Sequence, residues 1–360
     1  MIPCIIDMET GDPDDFFNMV FLVCHPEIDI QCITIAPGSK SQIAFVKCFL
    51  SELVVECKKQ EADLESGLDM NSIIERLSKI KVGAFNPHHK KDCLSGFLAK
   101  LYPNYVKFME EEESIGDGLG YDLMSECWRV HGTKLLFVTG APLSNLGTFI
   151  KNNQDEFNEE EKRIGLCVIQ GGYAGPNVVP EPFRLKKFKN EEMVSTYNFG
   201  GNVPAAKMVL NSKWIDRRIL VSKNVCHGVI YGPKRHTSLE SQIEKYSNLK
   251  NKTPSQVLAL IGLRIIYRGM AKYLEKNAEG KKFHDVLAGA VAIKTSICQF
   301  KRVEVIESKN KWGSKESLDS NTFISISANQ DAFFSLLEMQ DYFQNDENLS
   351  DTANLLNEEK

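Results

Sequence analysis

The sequence predicts an α/β fold: a mainly parallel central sheet with helices on both faces and an active site at the carboxyl-terminal ends of the strands. Short β-branched runs alternate with helix-length amphipathic segments, the pattern of βαβ crossovers. The composition, 42% hydrophobic and 25% charged over 360 residues, supplies a sizeable core. An acidic cluster follows the first strand directly, at the position where open parallel sheets bind ligands.

The elements follow in order. IPCIID (2–7) is a buried-looking strand, and 14–24 is an apolar helix. DIQCITIA (29–36) is a strand, 41–58 a helix, KVGAF (81–85) and KLLFVTG (134–140) strands, and 143–152 a helix. IGLCVIQGG (164–172) and RRILVS (217–222) are strands flanking a helix at 203–211. Long helices at 255–275 and 282–297 precede a KRVEVIES strand, a KNKWGSK turn, an NTFISISA strand and a last helix over 329–343. The stretch 58–71 and the loop 173–195 read as surface insertions. Residues 1–343 are expected to form one domain, and the polar, acidic stretch 344–360 a disordered tail.

A formal net charge of −5 argues against a nucleic-acid binder, which carries a basic patch or stripe. The ten cysteines contain no CxxC pair and sit mostly in apolar runs, so reduced, buried thiols are expected. A strand beginning at Ile2 leaves no space for a signal peptide, and no apolar run reaches the ~18 residues of a membrane span. The expectation is a cytoplasmic protein with a small-molecule partner.

The stretch IIDMETGDPDDFF places Asp7, Glu9, Asp12, Asp14 and Asp15 within nine positions. Carboxylates this close repel one another and resist desolvation unless a cation neutralises them. Oxygen ligands suit a hard ion such as Ca²⁺ or Mg²⁺. Helix capping offers a second use for the same acids: Asp12 suits an N-cap, and Asp14 and Asp15 suit the positive end of the helix dipole.

DMETGDPDD resembles the N-terminal signature of the nucleoside hydrolases, and GDGLG (116–120), TGAPLSNLG (139–147), VIQGG (168–172) and FHDVLAGAVA (283–292) resemble further segments of that family in the same order. NFGGNVPAAKMVL (198–210) and VSKNVCH (221–227) are fainter echoes, and the likeness covers about residues 1–340. The resemblance implies a calcium-dependent enzyme of purine/pyrimidine salvage. Such an enzyme hydrolyses the N-glycosidic bond of a ribonucleoside or related N-riboside by metal-bound water with inversion, giving free base and ribose. It implies Asp15 and Asp285 as side-chain ligands of Ca²⁺, Glu9 as ligand and proton acceptor, and Asp7 as ligand or support. A backbone carbonyl of Thr139 or Gly140 would complete the cage. His284 would assist the leaving base, and Asp14, Ser39, Gln170, Asn190, Thr196 and Asn198 would line the substrate site. A homodimer or homotetramer is implied as well.

The sequence departs from that pattern. The acidic loop and the TGAPLSN turn each carry one extra residue, and Glu9 replaces an Asp. Ser39 stands where Asn is usual, Gln170 where Met is usual, and Thr196 where a Glu would accept the 5′-hydroxyl. Beside Thr196 lies FRLKKFK (183–189), whose Arg184, Lys186, Lys187 and Lys189 suit a phosphate. A 5′-phosphorylated or otherwise 5′-extended riboside is therefore one expectation, a solvated basic loop the other. Two other functions fit parts of the sequence: a Mg²⁺-dependent phosphatase of the haloacid-dehalogenase type, and a family-like binding protein without turnover. His25 reads as a surface residue at a helix end, and His88–Lys91 as a solvated turn.

Overall fold

In the computed structural model of the chain, residues 1–63, 68–110, 116–157 and 162–344 are described. Ten strands form one sheet. In chain order they are β1 (Ile2–Met8), β2 (Ile28–Ile35), β3 (Lys81–Ala84), β4 (Gly118–Leu119), β5 (Leu136–Thr139), β6 (Ile164–Gln170), β7 (Ile215–Val221), then β10 (Cys298–Ser308), β11 (Lys311–Glu316) and β12 (Thr322–Ala328). A separate pair, β8 (Ile230–Tyr231) and β9 (Lys281–Lys282), is antiparallel. The sheet order is β11-β10-β12-β7-β6-β5-β1-β2-β3-β4. From β12 across to β4 every neighbour is parallel, while β10 pairs antiparallel with both β11 and β12. The mainly parallel sheet expected from the alternating pattern is what forms.

Period-2 alternation divides β1 between two cores. Cys4, Ile6 and Met8 join one buried cluster, with the helices Pro13–Cys24, Pro254–Leu274 and Asp285–Ile293; Ile5 joins the other. Asp7 lies on the Ile5 side, at the carboxyl end of the strand. The sheet thereby carries its polar residues to one edge without exposing them.

Several expectations need correction. KNKWGSK turns only at its first two residues, Lys309–Asn310, both at positive φ; the remaining five belong to β11, paired with β10 through Val303–Glu316 to Ser308–Lys311. Trp312 and Gly313 are buried there, which explains why the segment extends rather than turns. The last helix is two, Gln330–Leu337 and Gln340–Gln344, broken at Met339 with φ 54. The loop 173–195 is not merely a surface insertion, because Ala174, Val178 and Val179 belong to the second core. His25 is buried at 2% exposure, its ring edge-on to Phe21 at 5.4 Å. The helices Gly120–His131 and Pro233–Ser247 went unanticipated. Lys40–Asp63 runs further than expected. The expected tail falls on residues 345–360, which lie outside the described residues.

All ten cysteines are free and eight are buried, as their apolar contexts imply. Among the described residues, no helix is long and apolar enough to cross a membrane.

Candidate active site

The helix Pro13–Cys24 begins with a complete capping box. Asp12 accepts from the Asp14 amide at 3.0 Å, and Asp15 accepts from the Asp12 amide at 3.0 Å. The preceding loop is held in an unfavourable backbone region. Thr10, fully buried, has φ 58, a conformation costly for a β-branched residue. Its carbonyl accepts from the Ser95 amide at 3.2 Å, and Gln42 donates to its hydroxyl at 3.1 Å and to the Glu9 carbonyl. These contacts fix where Glu9 projects.

Asp14 ties this loop to a segment 270 residues away. Its Oδ2 accepts the His284 amide at 2.6 Å and the Asp285 amide at 2.7 Å, both at the start of the helix Asp285–Ile293. A third segment closes in after β5. A Cβ on Gly140 would stand 2.0 Å from Asp285 Oδ1 and 2.7 Å from Met8 Sδ, so only glycine permits this approach. Asp7, at 1% exposure, accepts from Thr34 (2.8 Å), Asn145 (2.9 Å) and Thr139 (3.3 Å).

Burial without full compensation drives the acids upward. Asp7 is pushed up to about 6 by burial, which its three donors only partly offset. Glu9 is pushed up to about 7 by burial and then by the Asp12 charge, against a hydrogen bond from Tyr197. Asp14 rises to about 6 through burial. Asp15 and Asp285 rise well above the carboxylate range, by burial first and then by the neighbouring carboxylates, Glu9 for Asp15 and Asp15 for Asp285. Lys281 is the counter-charge: 2.8 Å from Asp12, it is raised because Asp14 and Asp12 outweigh its own burial.

These residues fit a hard cation. Asp14 Oδ1 and Asp285 Oδ1 are buried with no hydrogen-bond partner, a costly state for an acceptor. The cluster is oxygen-only and anionic, and a single Lys faces it in an ion pair among the described residues. Among the described residues, the group whose ligand atoms fall within 4.8 Å of one another and could hold a metal ion is a softer set beside the acids, Cys226, His227 and His284.

A cavity of about 240 Å³ opens beside the acids, lined by Gln170, Gly171, Thr196, Tyr197, Asn198, Lys223, His227 and His284. Its walls come from the carboxyl ends of β6 and β7 and from the turns before the helices Tyr197–Gly200 and Asp285–Ile293. Asn198 donates to the Gln170 carbonyl at 2.9 Å and to its side-chain oxygen at 2.8 Å. Gln170 in turn donates to Cys226 Sγ at 3.5 Å. The His284 and His227 rings lie 4.8 Å apart. Both are lowered to about 3, by burial first and then by nearby positive charge.

Of the residues anticipated from sequence, Glu9, Asp14, Asp15, Gly140 and Asp285 meet in one place. Asp7 and Thr139 support them from β1 and β5. Gln170, Thr196, Asn198 and His284 line the cavity. Ser39 is buried, with its hydroxyl 3.0 Å from Ser41 and 3.2 Å from Gln42, so it braces the loop rather than the cavity. Asn190 is exposed and outside the cavity lining. Tyr197, Lys223 and His227 were not singled out; VSKNVCH, placed just after a strand end, was the available signal.

The sequence profile of the family described as inosine-uridine preferring nucleoside hydrolase matches residues 4–335. An uncharacterized protein of Aquifex aeolicus (strain VF5) is 23% identical over 347 residues, covering 94% of this chain and 97% of its own. Among solved structures, the fold is similar to the plant nucleoside hydrolase PpNRh1, with TM-score 0.59 and 14% identity over 94% of this chain and 98% of that one. It is similar also to a purine-preferring ribonucleoside hydrolase from Gardnerella vaginalis, with TM-score 0.56 and 15% identity over the same shares. An inosine-uridine preferring nucleoside hydrolase from Bacillus anthracis gives TM-score 0.57 and 16% identity, again over 94% and 98%.

Proposed function

The chain belongs to the inosine-uridine preferring nucleoside hydrolase family, a family of N-glycosyl hydrolases acting on small-molecule nucleosides, and from that premise we propose that it hydrolyses the N-glycosidic bond of a ribonucleoside or close N-riboside with Ca²⁺ as cofactor and inversion at C1′. The observation that carries this reading is the convergence of the 5–15 loop and Asp285, clasped by Asp14, with carboxylate oxygens left unpartnered at the junction.

Asp15, Asp285, Glu9 and the Gly140 carbonyl would hold the ion, with Asp7 bracing them. Calcium, when bound, supplies positive charge that binds the ribose diol and favours the deprotonated form of water. Glu9 accepts the proton of the attacking water. Asp14 holds a ribose hydroxyl through its unpartnered Oδ1. The Gln170–Asn198 pair presents fixed amide groups to the sugar from the opposite wall. His284, its Nε2 buried and unpartnered, hydrogen-bonds the departing base as negative charge collects on it. Water forms the new C1′–O bond, and the C1′–N electrons leave with the base, which takes up a proton.

The phosphatase alternative loses its footing against a family match over residues 4–335. The binding-protein alternative is tested directly: purine and pyrimidine ribosides are incubated with the protein and calcium, and free base and reducing sugar are measured. Release is expected, with Asp15→Ala and Asp285→Ala each abolishing it. Calcium binding without release from any riboside would overturn the enzymatic reading.

A further inference from the structure

The cavity beside the acids has an electrostatic character opposite to theirs. None of its eight lining residues is a carboxylate, and the only full charge among them is the ammonium of Lys223. Lys223 is half-buried and spends one proton on the Ser195 carbonyl at 2.9 Å, leaving two to donate. A second ammonium, Lys187, stands 3.1 Å from His227 Nδ1 at the rim. Beside Lys223 lies a hydroxyl without work: the residue after Ser195, Thr196, is 3% exposed, and its Oγ1 is buried with no hydrogen-bond partner. Two ammonium groups and an orphaned hydroxyl around one small cavity recognise an anion with several acceptor oxygens.

We propose that the Thr196–Lys223 side of this cavity binds a phosphate carried on the 5′ carbon, so that the substrates are ribosides of the nucleoside 5′-monophosphate class and the sugar product is ribose 5-phosphate. This rests on the reading above. With the 2′,3′-diol committed to the cation, the 5′ position is the one hydroxyl of an N-riboside left to carry the anion. The phosphate ester itself is untouched; the bond broken remains C1′–N.

The basic segment 183–189 contributes less than its composition promises. Arg184 is committed to the Val179 and Pro176 carbonyls at 2.9 and 2.6 Å, and Lys186, Lys187 and Lys189 are all exposed. Lys187 alone of the four reaches the cavity rim, and its partner Lys223 comes from a different element.

The test compares kcat/KM for purine and pyrimidine ribonucleosides with that for their 5′-monophosphates in calcium buffer, alongside calorimetric binding of ribose 5-phosphate and of ribose. The monophosphates are expected to be favoured by about tenfold or more, with Lys223→Ala and Lys187→Ala each lowering the preference ratio by about tenfold, the worth of a charge-assisted hydrogen bond. Ribose 5-phosphate should bind more tightly than ribose, and less so at high salt. Free nucleosides turned over as well as or better than their monophosphates would overturn the proposal while leaving N-riboside hydrolysis intact. Tight ribose 5-phosphate binding with no hydrolysis of either class would uphold the anion site and defeat the enzymatic reading. Equal binding of ribose and ribose 5-phosphate would overturn the anion site by a route independent of turnover.

Discussion

His284 and Asp285 are adjacent in the chain and face opposite worlds. On the Asp285 side, Glu9, Asp12, Asp14 and Asp15 crowd together and burial lifts their neighbour's pKa. On the His284 side, Lys282, Lys223 and Lys187, together with Lys281, the acids' own counter-charge, add to burial in holding the imidazole near 3. One helix start thus separates a pole short of positive charge from a pole short of negative charge. The difference teaches that burial alone does not define a site here. Both poles are desolvated, and what distinguishes them is the sign of the charge each lacks. A riboside carrying a phosphate, with a cation beneath its diol, answers both.

That contrast can be broken at several points. After the loss of activity expected of Asp15→Ala and Asp285→Ala, replacing His284 by Ala should have the largest effect, lowering kcat for natural ribosides by about 10²–10⁴-fold, the range of general acid–base contributions. A riboside whose leaving group needs no proton should lose far less in the same variant; equal losses on both would remove His284 from leaving-group assistance. Next comes Gly140→Ala, whose new methyl would meet Asp285 Oδ1 at 2.0 Å. Displacing that carboxylate by about 1 Å is expected to cost on the order of 10²-fold in turnover, together with weakened calcium binding by calorimetry. Undiminished calcium affinity would separate Asp285 from the ion.

The acidic pole also predicts a pH-dependent stability. Asp7 and Asp14 near 6 and Glu9 near 7 all lie above their unfolded values. Without metal, the folded state binds more protons than the unfolded state from about pH 4 to 7, so these groups lower stability as pH rises through that window. His227 and His284, depressed to about 3, act in the opposite direction. The clean measurement is therefore the difference in Tm with and without calcium. It should grow from pH 5 to pH 7.5, because only the deprotonated acids bind the ion; a constant difference would contradict the assignment. The smallest effect is expected from Asp12→Ala, which removes the helix cap at a cost of about 1 kcal/mol and frees Lys281. Loss of stability with little change in calcium affinity would mark Asp12 as structural.

Much was legible in one dimension because its causes are local. The period-2 and helix-length patterns mark the longer parallel strands and about half of the helices, and the crowding of five acids within nine residues suggests either a cation or a helix cap. Capping is local too, and Asp12, Pro13 and Asp15 declare it. The edge hairpin is shorter at its turn than the segment 309–315 suggests, because only Lys309–Asn310 reverse; Gly313 is buried against Met193 and the Glu192 carbonyl, a contact no local window contains. His25 was misplaced for the same reason, its burial being set by packing against the helix.

The sequence by itself determined the class of fold, the family resemblance and the acidic loop that invites a metal, because periodicity, order and charge density are properties of neighbouring residues. Tertiary structure alone decided that Asp14 clasps the amides of residues 284 and 285, that Gly140 admits Asp285, that Ser39 braces and Asn190 stands apart, and that Lys223 and Thr196 share one cavity while Lys187 meets His227. Those facts depend on which strand ends lie side by side in the sheet, and it is burial at that shared edge that turns scattered polar groups into a cluster whose charges act on one another.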